Sequence, residues 1–169
     1  MKNEVLSEDA DRQARLAQIA RIAVALEAQT GCPAPMMIAQ WAVESRWGAK
    51  PCGNANYFGV KANPRDPQSC QDPTVEVVDG KPEDEMLAFA DYGSIEASAA
   101  DYATLITKGN PYQGAWAQFQ EDHNLDELIK AVAAKYATDP GYATLVTLIA
   151  HQQNVTRAIA AARQKGSNV

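Results

Sequence analysis

Apolar residues in the first part of the chain recur at helical spacing. Leu16, Ile19, Ala20, Ala23 and Leu26 fall on one stripe with charged or polar residues between them, as in an amphipathic helix. Ser7, followed by Glu8 and Asp9, has the form of an N-cap with acids in the first turn, where they complement the helix dipole. Thr30-Gly31-Cys32-Pro33 stops that helix. A second helix is expected from near Pro35 through Trp47, with Gly48 placed to end it.

The pattern changes over residues 49–73, where Pro51, Gly53, Asn54, Asn56, Gly59, Asn63, Pro64, Pro67 and Pro73 crowd together. This predicts a long irregular loop, and long ordered loops often carry function. Thr74-Val75-Glu76-Val77-Val78 and Met86-Leu87-Ala88-Phe89 lie on either side of Asp79-Gly80-Lys81-Pro82, which reads as a β-hairpin. Helical spacing then returns, with Ser94 as a cap and Ile95, Ala99, Tyr102 and Ile106 in register as far as Lys108-Gly109-Asn110-Pro111. Asn124 with Glu127 forms a capping-box pattern for a helix to about Tyr136. Asp139-Pro140 opens a last helix with the stripe Tyr142, Leu145, Val146, Ile149 and Ile159. The expected fold class is α+β and predominantly α, a single helical domain over 1–169 with a small β lobe inserted at about 73–91.

Composition narrows the function. A length of 169 residues suits one domain. A formal charge of −6 argues against nucleic acid as a partner. No apolar run has the length of a membrane span. The N-terminal MKNEVLSEDADRQARLAQ lacks the apolar stretch of a Sec signal, so export takes another route or the chain is trimmed. The three cysteines Cys32, Cys52 and Cys70 show no metal-ligand spacing, so no metal and no cofactor is expected. Cys52 and Cys70 flank the Gly- and Pro-rich stretch, and a bridge between them would stabilise by about 3 kcal/mol. Three reduced thiols are the alternative.

The densest chemistry lies in the second helix. Met37, Trp41 and Glu44 are spaced by four and three residues, so they share a helix face. A carboxyl group beside apolar side chains, at the negative end of a helix, is disfavoured as an anion, and its pKa rises. A raised carboxyl pKa suits a general acid near neutral pH. A solvated Glu44 paired with Arg46 is the plain alternative.

Wider motifs favour the acid. Ala42-Val43-Glu44-Ser45-Arg46-Trp47-Gly48, then Asn56-Tyr57-Phe58-Gly59-Val60-Lys61, then Phe89-Ala90-Asp91-Tyr92-Gly93-Ser94, then Tyr136-Ala137-Thr138-Asp139-Pro140-Gly141-Tyr142-Ala143 follow one another in the chain. In this order they resemble the peptidoglycan-hydrolysing glucosaminidases of glycoside hydrolase family 73. Trp41 stands where that pattern has a small residue, and Tyr57 where it has leucine. The resemblance implies a lysozyme-like fold and a glycosidase cutting β-1,4 bonds of cell-wall glycan, after N-acetylglucosamine, with Glu44 as general acid. A muramidase, a lytic transglycosylase and a non-catalytic wall-binding module are the alternatives.

The resemblance also implies a second carboxylate from the β lobe, Glu76, with Glu83, Asp84 and Glu85 nearby on the same lobe. A wide gap between the two acids would fit inversion through a water, whereas a substrate N-acetyl group could assist instead. Trp47, Tyr57, Phe58, Tyr92, Tyr136 and Tyr142 are the candidate sugar-binding rings, with core packing as the alternative for Trp47 and Phe58. Trp41 and Tyr102 are assigned to the core. His123 and His151 have no ligand-spaced neighbours, and no nucleophile triad is present. The expected partner is peptidoglycan glycan, with an immunity or inhibitor protein as a second candidate. Action on the wall, from the periplasm or from outside, would need delivery by phage lysis or by a dedicated secretion system.

Overall fold

The computed structural model describes residues 2–62, 69–78 and 81–166, with side chains over 8–62 and 87–166. In chain order the elements are α1 (Lys2–Thr30), α2 (Ala34–Glu44), β1 (Ser69–Val78), β2 (Lys81–Ala90), α3 (Ile95–Lys108), a 3₁₀ turn (Asn110–Tyr112), α4 (Gln113–Asp122), α5 (Leu125–Tyr136), α6 (Tyr142–Ala150) and α7 (Gln153–Gly166). This is the predominantly helical fold with an inserted hairpin that the sequence predicts.

Helix α2 is the centre of the molecule. Met36, Met37, Ile38, Ala39, Gln40, Trp41 and Ala42 are consecutive and all buried. A helix apolar on every face can lie only inside, and α1, α6 and α7 pack around it. Full burial of side chains such as Ile38 or Met37 contributes about 1.5–3 kcal/mol each. The start of α2 has no side-chain cap of its own. Glu27 of α1 takes that place by accepting from Ala34 N–H at 2.9 Å, and its other oxygen meets Arg163 of α7 at 2.6 Å. One carboxylate therefore joins three helices. Elsewhere Ser94 accepts from Ala97 N–H and Asn124 from Glu127 N–H, as their positions in the sequence predict.

Several boundaries differ from the sequence reading. Ser7 lies inside α1, because nothing between Lys2 and Ser7 breaks a helix. Helix α2 ends at Glu44 rather than Trp47. The expected last helix is two, broken at His151 and Gln152, and Leu145 of its supposed stripe is 46% exposed. Helix α4 has no buried residue, so it carries no strong apolar stripe to announce it.

The hairpin is longer than the expected strands, running Ser69–Val78 and Lys81–Ala90. Its register pairs Cys70 with Phe89, Glu76 with Glu83 and Val78 with Lys81. Pro73 sits within β1, which is tolerated because β1 pairs with β2 on one side and is an edge strand on the other. The Asp79-Gly80 turn and the side chains of Cys70, Glu76, Glu83, Asp84 and Glu85 lie outside the described residues, as does any bridge from Cys52 to Cys70.

Candidate functional site

Glu44 is the last residue of α2, and the chain beyond it turns with an unusual backbone. Arg46, Trp47 and Gly48 have φ of 50°, 59° and 76°. Such conformations disfavour residues with a Cβ by about 1–2 kcal/mol each. The buried Ser45 hydroxyl stabilises the turn by donating to Trp41 O at 2.6 Å and accepting from Gly48 N–H at 2.9 Å. Trp47 N–H reaches back to Ala42 O at 2.9 Å. Gly48 is required here, since a Cβ would lie 2.5 Å from the Trp41 ring. Gly48→Ala is expected to destabilise by about 2–4 kcal/mol, combining backbone strain with overpacking, which a thermal melt will measure.

The loop after this turn is organised by Asn56, which is buried. Its Nδ2 donates to Val60 O and Ala90 O, both at 2.9 Å, and its Oδ1 accepts from Phe58 N–H and Val60 N–H. All four hydrogen-bonding positions of the amide are filled. Ala90 N–H to Val60 O and Ala62 N–H to Ala88 O then lay the loop along β2. Gly59 is thereby held against Glu44: with φ of 66°, a Cβ on it would lie 2.7 Å from Glu44 Oε2.

The opposite wall comes from α5 and α6. Tyr142 donates to Glu44 Oε1, and its own oxygen accepts from Gln40 Nε2 at 2.9 Å. Gln40 Oε1 accepts from the buried Tyr102 hydroxyl. Tyr136 donates to Phe58 O at 2.6 Å and stacks on Tyr142 with ring centroids 6.3 Å apart. Val43, Glu44, Gly59, Lys61, Phe89, Tyr136, Ala137, Thr138, Asp139 and Tyr142 enclose a cavity of about 270 Å³. Gly59, Lys61 and Tyr136 also line a neighbouring hollow with Tyr112 and Lys135. Val60, Lys61 and Leu105 continue it towards Lys108. The result is a cleft that starts at Glu44.

Burial raises the Glu44 carboxyl from the usual range to about 7, against the opposing pull of the Tyr142 hydroxyl. Burial is also the first cause of the raised pKa of Tyr142 and Tyr136, with Glu44 second in each. Both tyrosines therefore stay neutral donors. An acid half protonated near neutral pH, in an open cleft and with one oxygen fixed, can deliver a proton to a substrate oxygen.

The sequence candidates divide. Glu44, Tyr136 and Tyr142 meet at the cavity. Phe58 is fully buried and stacks on Tyr102 at 4.5 Å, so it is a core residue rather than a sugar platform. Trp47 turns towards α1, edge-on to Trp41, with the Arg12 guanidinium 3.8 Å above its ring and Arg15 on its carbonyl. The left-handed turn is what carries it away from the cleft. Tyr57 is half-buried, with its N–H on Ser98 Oγ, and the Tyr92 hydroxyl bonds Asp101 at 2.5 Å. Neither lines the cavity around Glu44. Gln40 is not singled out from sequence, and Gly59 and Asp139 enter there only as motif or helix-start residues, not as site candidates. A lone polar residue in the apolar run 36–42 was the available signal for Gln40.

A glucosaminidase family model, described as mannosyl-glycoprotein endo-beta-N-acetylglucosaminidase, matches residues 20–155. The peptidoglycan hydrolase FlgJ of Pseudomonas aeruginosa is 35% identical over 140 residues, which is 78% of this chain and 34% of that protein. The chain thus spans about a third of that relative. A C-terminally truncated glycoside hydrolase domain of Salmonella typhimurium FlgJ is 30% identical, with a TM-score of 0.58 over 84% of this chain and 95% of that one. A mutant peptidoglycan hydrolase from Sphingomonas sp. A1 is 25% identical, with a TM-score of 0.73 over 88% and 99% of the two chains. The family match takes in α2, the Asn56 loop and the helices that bring Tyr136 and Tyr142 to Glu44, and by it the chain belongs to the glucosaminidase family of glycoside hydrolases.

Proposed function

We propose that this chain hydrolyses β-1,4 bonds of peptidoglycan glycan on the N-acetylglucosamine side, with Glu44 protonating the bridging oxygen. The observation that carries this reading is the Glu44 carboxyl itself, raised to about 7 at the head of a cleft. Tyr136 and Phe89 offer ring surface beside it, suited to the C–H faces of a sugar. Work on wall glycan lies outside the inner membrane, and among the described residues no helix is long and apolar enough to cross one. Delivery by phage lysis or by a secretion machine, and an immunity or inhibitor protein that covers the cleft, go with that reading.

Glu76 is proposed as the second carboxylate. It lies six residues along β1 from the Cys70–Phe89 rung, and Phe89 lines the cavity. Six residues of strand span roughly 20 Å, so Glu76 acts on the bond only if the ribbon bends back to bring it to the cleft. Asp139 already borders the cavity, with Oδ1 held by Gly141 N–H at 2.7 Å. Glu76→Gln is expected to lower turnover about 10²-fold or more if it activates water. An unchanged rate would leave the role to Asp139 or to the substrate's N-acetyl group.

The test of the reaction is digestion of purified walls, followed by mass spectrometry of the muropeptides. Reducing-end N-acetylglucosamine is the expected product. Reducing-end N-acetylmuramic acid would make the chain a muramidase, a 1,6-anhydro end a lytic transglycosylase, and binding without product a wall-binding module.

A further inference from the structure

Helix α2 carries one polar side chain within its buried run, and that residue is Gln40, 1% exposed. It sits one turn before Glu44, but its side-chain hydrogen bonds go elsewhere. Its amide instead bridges two phenols, Tyr102 on α3 and Tyr142 on α6. The end of this relay is Glu44 Oε1.

An amide has one accepting end and one donating end, and that polarity has a consequence. Gln40 Nε2 donates to Tyr142 at 2.9 Å. The Tyr142 oxygen then acts as an acceptor towards Gln40, and its single hydrogen is left for Glu44. Were the amide reversed, Tyr142 would give that hydrogen to Gln40. Glu44 Oε1 would then face a phenol lone pair unless it carried the proton itself. The two amide orientations therefore correspond to two places for the Glu44 proton. On Oε1 it points into the buried relay. On Oε2 it lies beside Gly59, at the wall of the cleft.

Tyr102 selects between them. It is fully buried and stacked on Phe58. Among the described residues its hydroxyl has Gln40 Oε1 as its hydrogen-bond acceptor. A reversed amide would present a donor to that donor and strand a buried hydrogen, which proteins avoid.

We propose that Gln40 is a positioning residue for Glu44: held by Tyr102 and acting through Tyr142, its amide commits Oε1 to a fixed hydrogen bond and leaves Oε2 to carry the proton delivered to the substrate. The proposal rests on the reading of Glu44 as the acid. The other titratable or charged groups around the cavity are Tyr136 on α5, Asp139 between α5 and α6, and Lys61 in the loop. None of them forms part of the relay.

The test combines a pH profile with a direct titration. In Gln40→Met and in Tyr102→Phe, kcat on purified walls is expected to fall about tenfold, the scale of one hydrogen bond to a charged group, with KM unchanged. The Tyr142 bond favours the ionised carboxyl, so weakening it moves the basic limb of the profile upward. Carbon-13 NMR of the labelled glutamate carboxyls should show Glu44 titrating higher in the same variants, whatever the substrate. In a Tyr142→Phe background neither substitution should have a further effect on kcat or on the titration, because the route to Glu44 is already cut.

Tyr102→Phe keeps the ring that packs on Phe58, so it remains informative should Gln40→Met fail to fold. An unmoved Glu44 titration in Tyr102→Phe, or effects that add to those of Tyr142→Phe, would overturn the relay. Full wall hydrolysis by Glu44→Gln would instead remove the reading on which the relay rests.

Discussion

Glu44→Gln is expected to lower wall hydrolysis by about 10²–10⁴-fold, the range for losing a general acid, while raising the stability of the protein above pH 7. The first half follows from the cleft. The amide keeps the shape of the side chain and can still accept from Tyr142, but it has no proton to give. The second half follows from burial. The folded protein holds the carboxyl at about 7, against 4.5 for an ordinary glutamate, so folding disfavours the anion. Wild-type stability from this group is complete below the unfolded pKa and is lost as pH rises through the folded one. A shift from 4.5 to about 7 corresponds to on the order of 3 kcal/mol at alkaline pH. That is an upper bound, because the residue borders an open cleft.

The uncharged variant does not lose that stability. Its melting temperature should match that of the wild type near pH 4 and exceed it by roughly 5–10 °C near pH 9, given the size of the chain. Paired thermal melts at the two pH values check the sign. Equal melts at both, with activity intact in the variant, would mean that Glu44 is an ordinary solvated acid. A wild-type rate whose basic limb falls near pH 7 is the kinetic counterpart of the same shift.

Much of this was legible because local chemistry and global position agree. Ser94 and Asn124 announce their helices by their caps. Met37, Trp41 and Glu44 place an acid beside the core, and Tyr136 and Tyr142 lie at a helix end and a helix start, where they can reach it. What escaped the sequence is set by partners far along the chain. Gln40 meets Tyr142 across 102 positions and Tyr102 across 62, and neither separation leaves a periodic trace. The break at His151-Gln152 contains no glycine or proline. It is fixed by the return of α7 along α1, where Arg163 meets Glu27. The rings were over-read for a similar reason. Phe58 and Trp47 follow motif residues, but the Asn56 hydrogen bonds hold one in the core, and the Arg46–Gly48 turn directs the other to α1. Residue type alone does not say which face a loop presents.

Gly59→Ala should have the largest effect of any single added methyl group on the reaction. Two constraints meet at this residue. Its φ of 66° lies in the left-handed region, where a Cβ costs about 1–2 kcal/mol. A Cβ here would also lie 2.7 Å from Glu44 Oε2, well inside van der Waals contact. Relief must come from one side or the other. If the loop withdraws, it strains the Asn56 hydrogen bonds to Val60 and Ala90 that anchor it to β2. If the carboxyl swings, it leaves Tyr142 and the mouth of the cleft. A displacement of about 1 Å at a reacting group can cost on the order of 10²-fold in rate, so kcat is expected to fall by at least about that factor. Stability should drop by only about 1–3 kcal/mol, leaving a folded protein near neutral pH. Gly48→Ala separates strain from chemistry, since its added carbon meets the Trp41 ring rather than Glu44. It should lower the melting temperature at least as much, yet retain most of the turnover at a temperature where it is folded. Comparable losses of turnover in the two variants would mean that Gly59 only shapes the loop and does not make room for the acid.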